Sequence, residues 1–199
     1  MRRTSAILAG LLLAAPASAG ILIEGRLEGV PLRLELAGRG EPGEWLVRAT
    51  VAGEPRLLDV ARGTVEPGVA EPARVAAERP GVGLVRLTPL GGGAMFAGHG
   101  GAWQLLTEDE RVCGEVLAVA WMARFLEPAV RALELLEASD PRLRPRARHG
   151  CSPLGFRFWT TQGWPLLAGG RSEAVFVTER IRFDHPFLPA SGPDGVVPR

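Results

Sequence analysis

The chain has no lysine, no asparagine and no tyrosine, and it has only 2 cysteines among its 199 residues. Because the missing residue types are encoded by AT-rich codons, we attribute their absence to a GC-rich bacterial genome. The abundance of arginine is therefore not evidence of phosphate recognition. Basic and acidic side chains nearly cancel, at a formal net charge of +1, which leaves no general electrostatic reason for binding nucleic acid.

Sequence signatures of well-known catalytic and cofactor sites are also absent. The chain contains no H-E-x-x-H zinc motif, no P-loop, no dinucleotide-binding fingerprint and no calcium-binding loop. The segment Gly150–Leu154 fails the G-x-S-x-G hydrolase pattern at its last position. We therefore expect a protein that is not an enzyme, with no catalytic residue, no metal and no cofactor. A hydrolase whose site is dispersed in sequence around His99 or His185 is a further alternative.

Residues 1–19 have the composition of a secretory signal. Two arginines precede a short apolar stretch, Ile7–Ala15, and small residues occupy the positions required for cleavage after Ala19. The stretch is roughly half as long as a bilayer-spanning helix, and no later apolar run reaches the ~18 residues that such a helix needs. We therefore expect a periplasmic or secreted protein without a transmembrane segment, with a single domain over 20–190 and a loose tail over 191–199.

Alternating apolar and polar residues indicate β-strands on both sides of the middle of the chain. Ile21, Ile23 and Leu27 alternate with charged residues, and a period of two with one polar face is typical of half-buried antiparallel strands. Similar patterns separated by turns rich in glycine and proline predict an antiparallel meander. The predicted strands cover 21–27, 32–36, 45–51, 56–60, 82–88, 102–106, 112–116, 156–161, 164–168 and 172–183.

The one long helical pattern covers residues 119–137. Its apolar positions Val130, Leu133 and Leu136 share one helical face, so we expect the helix to pack against the sheet. Pro128 lies inside the pattern and has no backbone N–H to donate. It therefore either kinks the helix or begins a second one.

The two cysteines, Cys113 and Cys151, enclose this helix in the sequence. In an exported chain, an even number of cysteines favours a disulfide. One alternative is a metal site with His149, which needs further ligands that only His99 and His185 could supply as imidazoles. The other is a redox role, which no C-x-x-C motif supports. We predict a Cys113–Cys151 disulfide that fixes both ends of the helical segment to the sheet.

Two groups of side chains are candidates for binding. The first is apolar, and we expect it either to line a groove for a ligand or to pack in the core. It consists of Trp103, Trp121, Met122, Phe125 and Leu126. The second is the alternating series Arg142, Arg144, Arg146 and Arg148. These arginines either bind an anionic head group or a partner's carboxylates, or form a solvated return loop.

The order of these parts resembles that of the LolA-like periplasmic carriers. An export signal precedes a strand meander, the glycine-containing segment Ala97–His99 leads to an aromatic strand at Trp103, and the closing strands end in Phe187–Pro189. Within that superfamily the chain is similar to the small exported families of unknown function. The resemblance implies an α+β, mostly β fold: a curved antiparallel sheet, or incompletely closed β-barrel, with one or two helices packed on its concave face.

The resemblance also implies an apolar ligand, such as a lipid or an acyl chain, between sheet and helix. Our leading hypothesis is therefore an exported protein that binds a lipid or another apolar small molecule there. The alternative is a cell-envelope module that has no small-molecule ligand and binds a protein partner, through the Arg142–Arg148 loop or the sheet edge. Neither hypothesis involves nucleic acid.

Overall fold

The computed structural model describes residues 19–38, 45–66, 83–169 and 173–186. These residues form a 10-stranded antiparallel sheet and two α-helices. The sheet is curved and not closed into a barrel, and the helices pack on its concave face. The predicted α+β, mostly β architecture is therefore confirmed. Residues 1–18 of the predicted signal and the predicted tail lie outside the described residues.

The strands form two meanders that meet at the centre of the sheet. In chain order the strands are Ala19–Leu27 (β1), Val30–Gly38 (β2), Trp45–Val51 (β3), Glu54–Asp59 (β4), Thr64–Glu66 (β5), Val85–Phe96 (β6), His99–Glu108 (β7), Arg111–Val119 (β8), Trp164–Gly169 (β9) and Ala174–Pro186 (β10). Their order across the sheet is β5-β4-β3-β2-β1-β10-β9-β8-β7-β6. Antiparallel pairing of β1 with β10 joins the first half of the chain to the second.

Two-residue turns connect several neighbouring strands and fix their register. Glu28–Gly29, Ala52–Gly53, Ala97–Gly98 and Asp109–Glu110 have positive φ at both positions. This conformation is that of the type I′ turn, whose twist matches the twist of paired strands. The glycine-rich segment before Ala97, where the sequence predicts no strand, belongs to the β6–β7 hairpin, and β6 bulges between Pro89 and Gly93.

A helical insertion separates β8 from β9. It contains a 3₁₀ turn, Ala120–Arg124, the helix α1, Glu127–Ser139, a second 3₁₀ turn, Pro141–Leu143, and the short helix α2, Phe156–Trp159. The predicted helix over 119–137 is therefore a 3₁₀ turn followed by a separate α-helix. Pro128 lies in the first turn of α1. Backbone N–H groups in the first turn have no intrahelical acceptor, so a proline there costs the helix no hydrogen bond.

The helix α2 replaces a strand that the sequence predicts over 156–161, so that prediction is wrong. The cause is a tertiary contact with α1, because the Glu137 carboxylate accepts a hydrogen bond from the Phe156 backbone N–H at 2.9 Å. This bond satisfies a donor that the first turn of a helix leaves free. Arg157 adds an ion pair with Glu134 at 2.5 Å, which ties the two helices together.

The core lies between the sheet and the helical insertion. α1 packs over β2, β3 and β5, and its Leu133 and Leu136 are fully buried in one apolar cluster with Leu34 and Val47. Burial of each such side chain is worth about 1.5–3 kcal/mol. α1 therefore stabilises the fold through the face that the sequence predicts.

A second part of the core is aromatic. The rings of Phe156, Trp164 and Phe176 meet edge to face, with centroids 4.7 to 5.7 Å apart. The indole N–H of Trp164 donates to the Thr178 hydroxyl at 3.0 Å, so the ring is buried without leaving its polar atom unpaired. This cluster packs α2 against β9 and β10.

Candidate functional site

The two ends of the sheet carry different kinds of side chain. At one end β8 finishes beside the start of β9, and β10 finishes at Pro186 beside the start of β1 at Ala19. We call it the aromatic end, after Trp121, Phe125 and Phe183. The opposite end, here the disulfide end, carries the Cys113–Cys151 disulfide and the turns that follow β1, β3 and β7.

Three rings form a surface cluster at the aromatic end. Trp121, Phe125 and Phe183 are exposed to 57%, 58% and 38%. The Trp121 ring lies 6.1 Å from the Phe125 ring and 6.1 Å from the Phe183 ring, measured between centroids. At the same end Met95, near the tip of the β6–β7 hairpin, is also exposed. Contiguous exposed apolar surface marks interaction sites more often than scattered single residues do.

The turn after β8 explains why the Trp121 and Phe125 rings face solvent. The backbone N–H groups of Phe125 and Leu126 both donate to the Met122 carbonyl, at 3.1 and 3.0 Å. In this tight turn Met122 and Leu126 lie in the core with no exposed surface, while Trp121 and Phe125 project outward. Trp103 on β7 is half-buried and packs against the core. The five apolar residues proposed from the sequence are thus divided between core and surface.

The disulfide end is held together by covalent and polar contacts. Cys113 and Cys151 form the predicted disulfide, which holds the middle of the insertion, since α2 follows Cys151. Beside it the buried Glu108 carboxylate accepts hydrogen bonds from the backbone N–H groups of Ser152, at 2.7 Å, and Gly83, at 3.1 Å. The bond from Ser152 is the main cause of a lowered pKa for Glu108.

Two of the four predicted patch arginines, Arg142 and Arg148, donate hydrogen bonds to carboxylates of the protein itself. Arg142 donates to Asp140 at 2.7 Å and to Glu54 at 2.9 Å, and these bonds are the main cause of lowered pKa values for both carboxyls. Arg148 donates to Glu28 at 2.5 Å and to Glu173 at 3.2 Å. These contacts tie the loop before Cys151 to the turns after β1 and β3.

The other two arginines of the series, Arg144 and Arg146, face solvent. The Arg146 side chain lies 3.9 Å from Glu28, at the edge of an open cleft of about 570 Å³ that is also lined by Arg148, His149 and Glu173. Because Glu28 and Glu173 offset the charge of the arginines, the cleft has no strong excess of positive charge. A second, small cavity of about 10 Å³ beside the disulfide has room for about one water molecule.

The histidines of the hydrolase alternative have few polar contacts. His185 lies 3.7 Å from the Glu35 carboxylate. Among the described residues, no hydrogen bond or ion pair connects His99 to another side chain. That alternative stays a prediction.

No protein-family model, curated protein or solved structure has a significant match to this chain. In the part of the chain that the structure describes, none of the helices has the length and apolar character needed to cross a membrane. The disulfide is typical of proteins of oxidising compartments. The geometry of the two ends is therefore the basis for assigning a function.

Proposed function

We propose that this protein is exported to the periplasm or the cell exterior, where it binds a lipid or another apolar ligand at its aromatic end. The ligand class is the one that the LolA-like resemblance implies. The proposed site, however, lies at the aromatic end and not between the sheet and the helix. The single observation that carries it is the exposed cluster of Trp121, Phe125 and Phe183. An open antiparallel sheet with helices on its concave face supports the resemblance in architecture.

The packing of the interior argues against a ligand site beneath α1. Leu133 and Leu136 of α1 contact the sheet directly in the buried cluster, and Met122 and Leu126 before it are fully buried. Side chains of the protein itself therefore fill this region. A ligand beneath α1 would have to displace them, and each displaced side chain would lose about 1.5–3 kcal/mol of burial.

Binding of a fluorescent fatty acid, cis-parinarate, tests the proposal with a monomeric apolar probe. We expect saturable binding that Trp121→Ala/Phe125→Ala weakens by at least about tenfold, because burial of either ring is worth more than the 1.4 kcal/mol that corresponds to that factor. Leu84→Ala is the matched control, since Leu84 is equally exposed but lies near Asp109 at the disulfide end. Undiminished binding by the double variant would place the site elsewhere.

A second candidate function is binding of a protein partner's carboxylates through Arg144 and Arg146. The exposure of these two arginines supports it. Arg144→Ser/Arg146→Ser should then abolish capture of the partner from an envelope extract, whereas Arg131→Ser, an exposed arginine on α1, should not. Equal capture by both variants would contradict this version of the interaction.

A further inference from the structure

We propose that the aromatic end docks on the surface of an anionic lipid bilayer, with Trp121, Phe125 and Phe183 at the boundary between head groups and acyl chains. This inference rests on the proposed function. It specifies that the protein meets its apolar ligand as part of a lipid bilayer. The sheet would then stand with its aromatic end on the bilayer and its disulfide end away from it.

The shape of the cluster favours a surface over a single bound molecule. The rings contact one another and are exposed by 38% to 58%. A single acyl chain lying on such a projecting cluster would cover one side of it, whereas a bilayer would surround it. Tryptophan is also suited to the boundary between head groups and acyl chains, because its ring is apolar and its N–H can still reach water or a head group.

The charge beside the rings matches lipid phosphates. Arg124, between Trp121 and Phe125 in the 3₁₀ turn, is exposed and forms no ion pair with any other described residue. Elsewhere on the insertion, Arg131 and Arg157 are both paired with Glu127. A free guanidinium beside apolar rings is complementary to an anionic membrane surface, where each basic residue is worth about 1 kcal/mol.

Co-sedimentation with vesicles tests the proposal, using the protein in the form that an exporting host releases. The vesicles contain either phosphatidylcholine alone or equal amounts of phosphatidylcholine and phosphatidylglycerol. We expect Trp121→Ala/Phe125→Ala to lower partitioning roughly tenfold per ring on both, and Arg124→Ser to lower it about fivefold on the anionic vesicles alone. The control Leu84→Ala should partition like the wild type.

Quenching by brominated lipids locates the contact. Trp121→Phe retains an apolar ring, so this variant should still bind vesicles. It should lose the quenched component of the emission, whereas the remaining tryptophans should be unaffected. Vesicle binding that is equal in all variants, or quenching that survives Trp121→Phe, would overturn the proposal.

Comparison with the parinarate experiment separates the two hypotheses. Parinarate binding at the aromatic end without vesicle binding would overturn bilayer docking and leave the proposed function intact. Loss of both would contradict both. Concentration-dependent self-association that the double variant abolishes, without any vesicle binding, would identify a second copy of the chain as the occupant and would also overturn the bilayer.

Discussion

At the disulfide end the loop between α1 and α2 is bound to three neighbouring turns, whereas at the aromatic end large apolar rings are left in solvent. Arg142, Arg148 and Ser152 reach Glu54, Glu28 and Glu108 respectively. The rings of Trp121, Phe125 and Phe183 instead contact one another at the surface. The difference separates stability from binding: contacts that hold the insertion concentrate at one end, and surface available to a ligand concentrates at the other.

Loss of the disulfide should have the largest effect on stability. The bond joins residues separated by 38 positions, and in the chain-entropy model closing such a loop is worth about 3–4 kcal/mol. We expect Cys113→Ala/Cys151→Ala to lower the free energy of unfolding by about this amount in urea titrations. The wild type in reductant should unfold like the variant. A variant as stable as the oxidised protein would contradict the conclusion that contacts at the disulfide end hold the insertion.

Glu28→Gln should have the next largest effect. The Glu28 side chain is 2% exposed and faces Arg148, itself 19% exposed. Removing one partner of a buried pair typically costs about 3 kcal/mol. Here Arg148 would lose its buried partner and keep only Glu173, which is largely exposed. The matched control is Glu179→Gln, which breaks a pair with Arg26 that is about half exposed on both sides and should cost less than about 1 kcal/mol. Equal losses in the two variants would contradict a special role for Glu28.

Acid should weaken the disulfide end through Glu108, Asp140 and Glu54. Their pKa values in the folded protein lie below the ordinary 4.5 of Glu and 3.8 of Asp, so the folded state holds these negative charges more firmly than the unfolded chain. Their contribution is present above those ordinary values and is lost as the pH falls through the lowered pKa values. Unfolding titrations between neutral and acidic pH should show this loss, and Glu108→Gln should reduce its size.

Trp121→Ala/Phe125→Ala should have the smallest effect on stability and the largest on binding. Both rings are more than half exposed, and an edge-to-face pair adds about 1 kcal/mol. We expect the free energy of unfolding to fall by about 1 kcal/mol in urea titrations while parinarate binding is strongly weakened. A loss of several kcal/mol would show that the rings are part of the core, and the contrast between the ends would fail.

The candidate site was only partly predictable from the sequence. The segment from Trp121 to Leu126 contains four large apolar residues, and helical spacing alone does not tell which of them reach solvent. The answer depends on the 3₁₀ turn, in which two N–H groups share the Met122 carbonyl. Phe183 has no sequence signal that links it to Trp121, because the two residues meet only when β10 returns along the sheet.

The arginine series also shows that a local sequence pattern does not determine which side chains reach solvent. Alternation over Arg142–Arg148 groups four arginines as one candidate patch, but in the structure Arg142 and Arg148 donate to carboxylates while Arg144 and Arg146 face solvent. Which of the four donate is decided by turns distant in sequence, at Glu28 and Glu54. Long-range pairing of this kind is invisible to a window of neighbouring residues.

The sequence by itself determined the strand meander, the disulfide and the buried face of α1, because alternation, cysteine count and helical period are local properties that follow directly from residue type. The tertiary structure alone decided that residues 156–159 form a helix, since the deciding contact comes from Glu137 on α1. It also decided that Trp121, Phe125 and Phe183 form one surface cluster. Both outcomes depend on which distant elements meet in the folded chain.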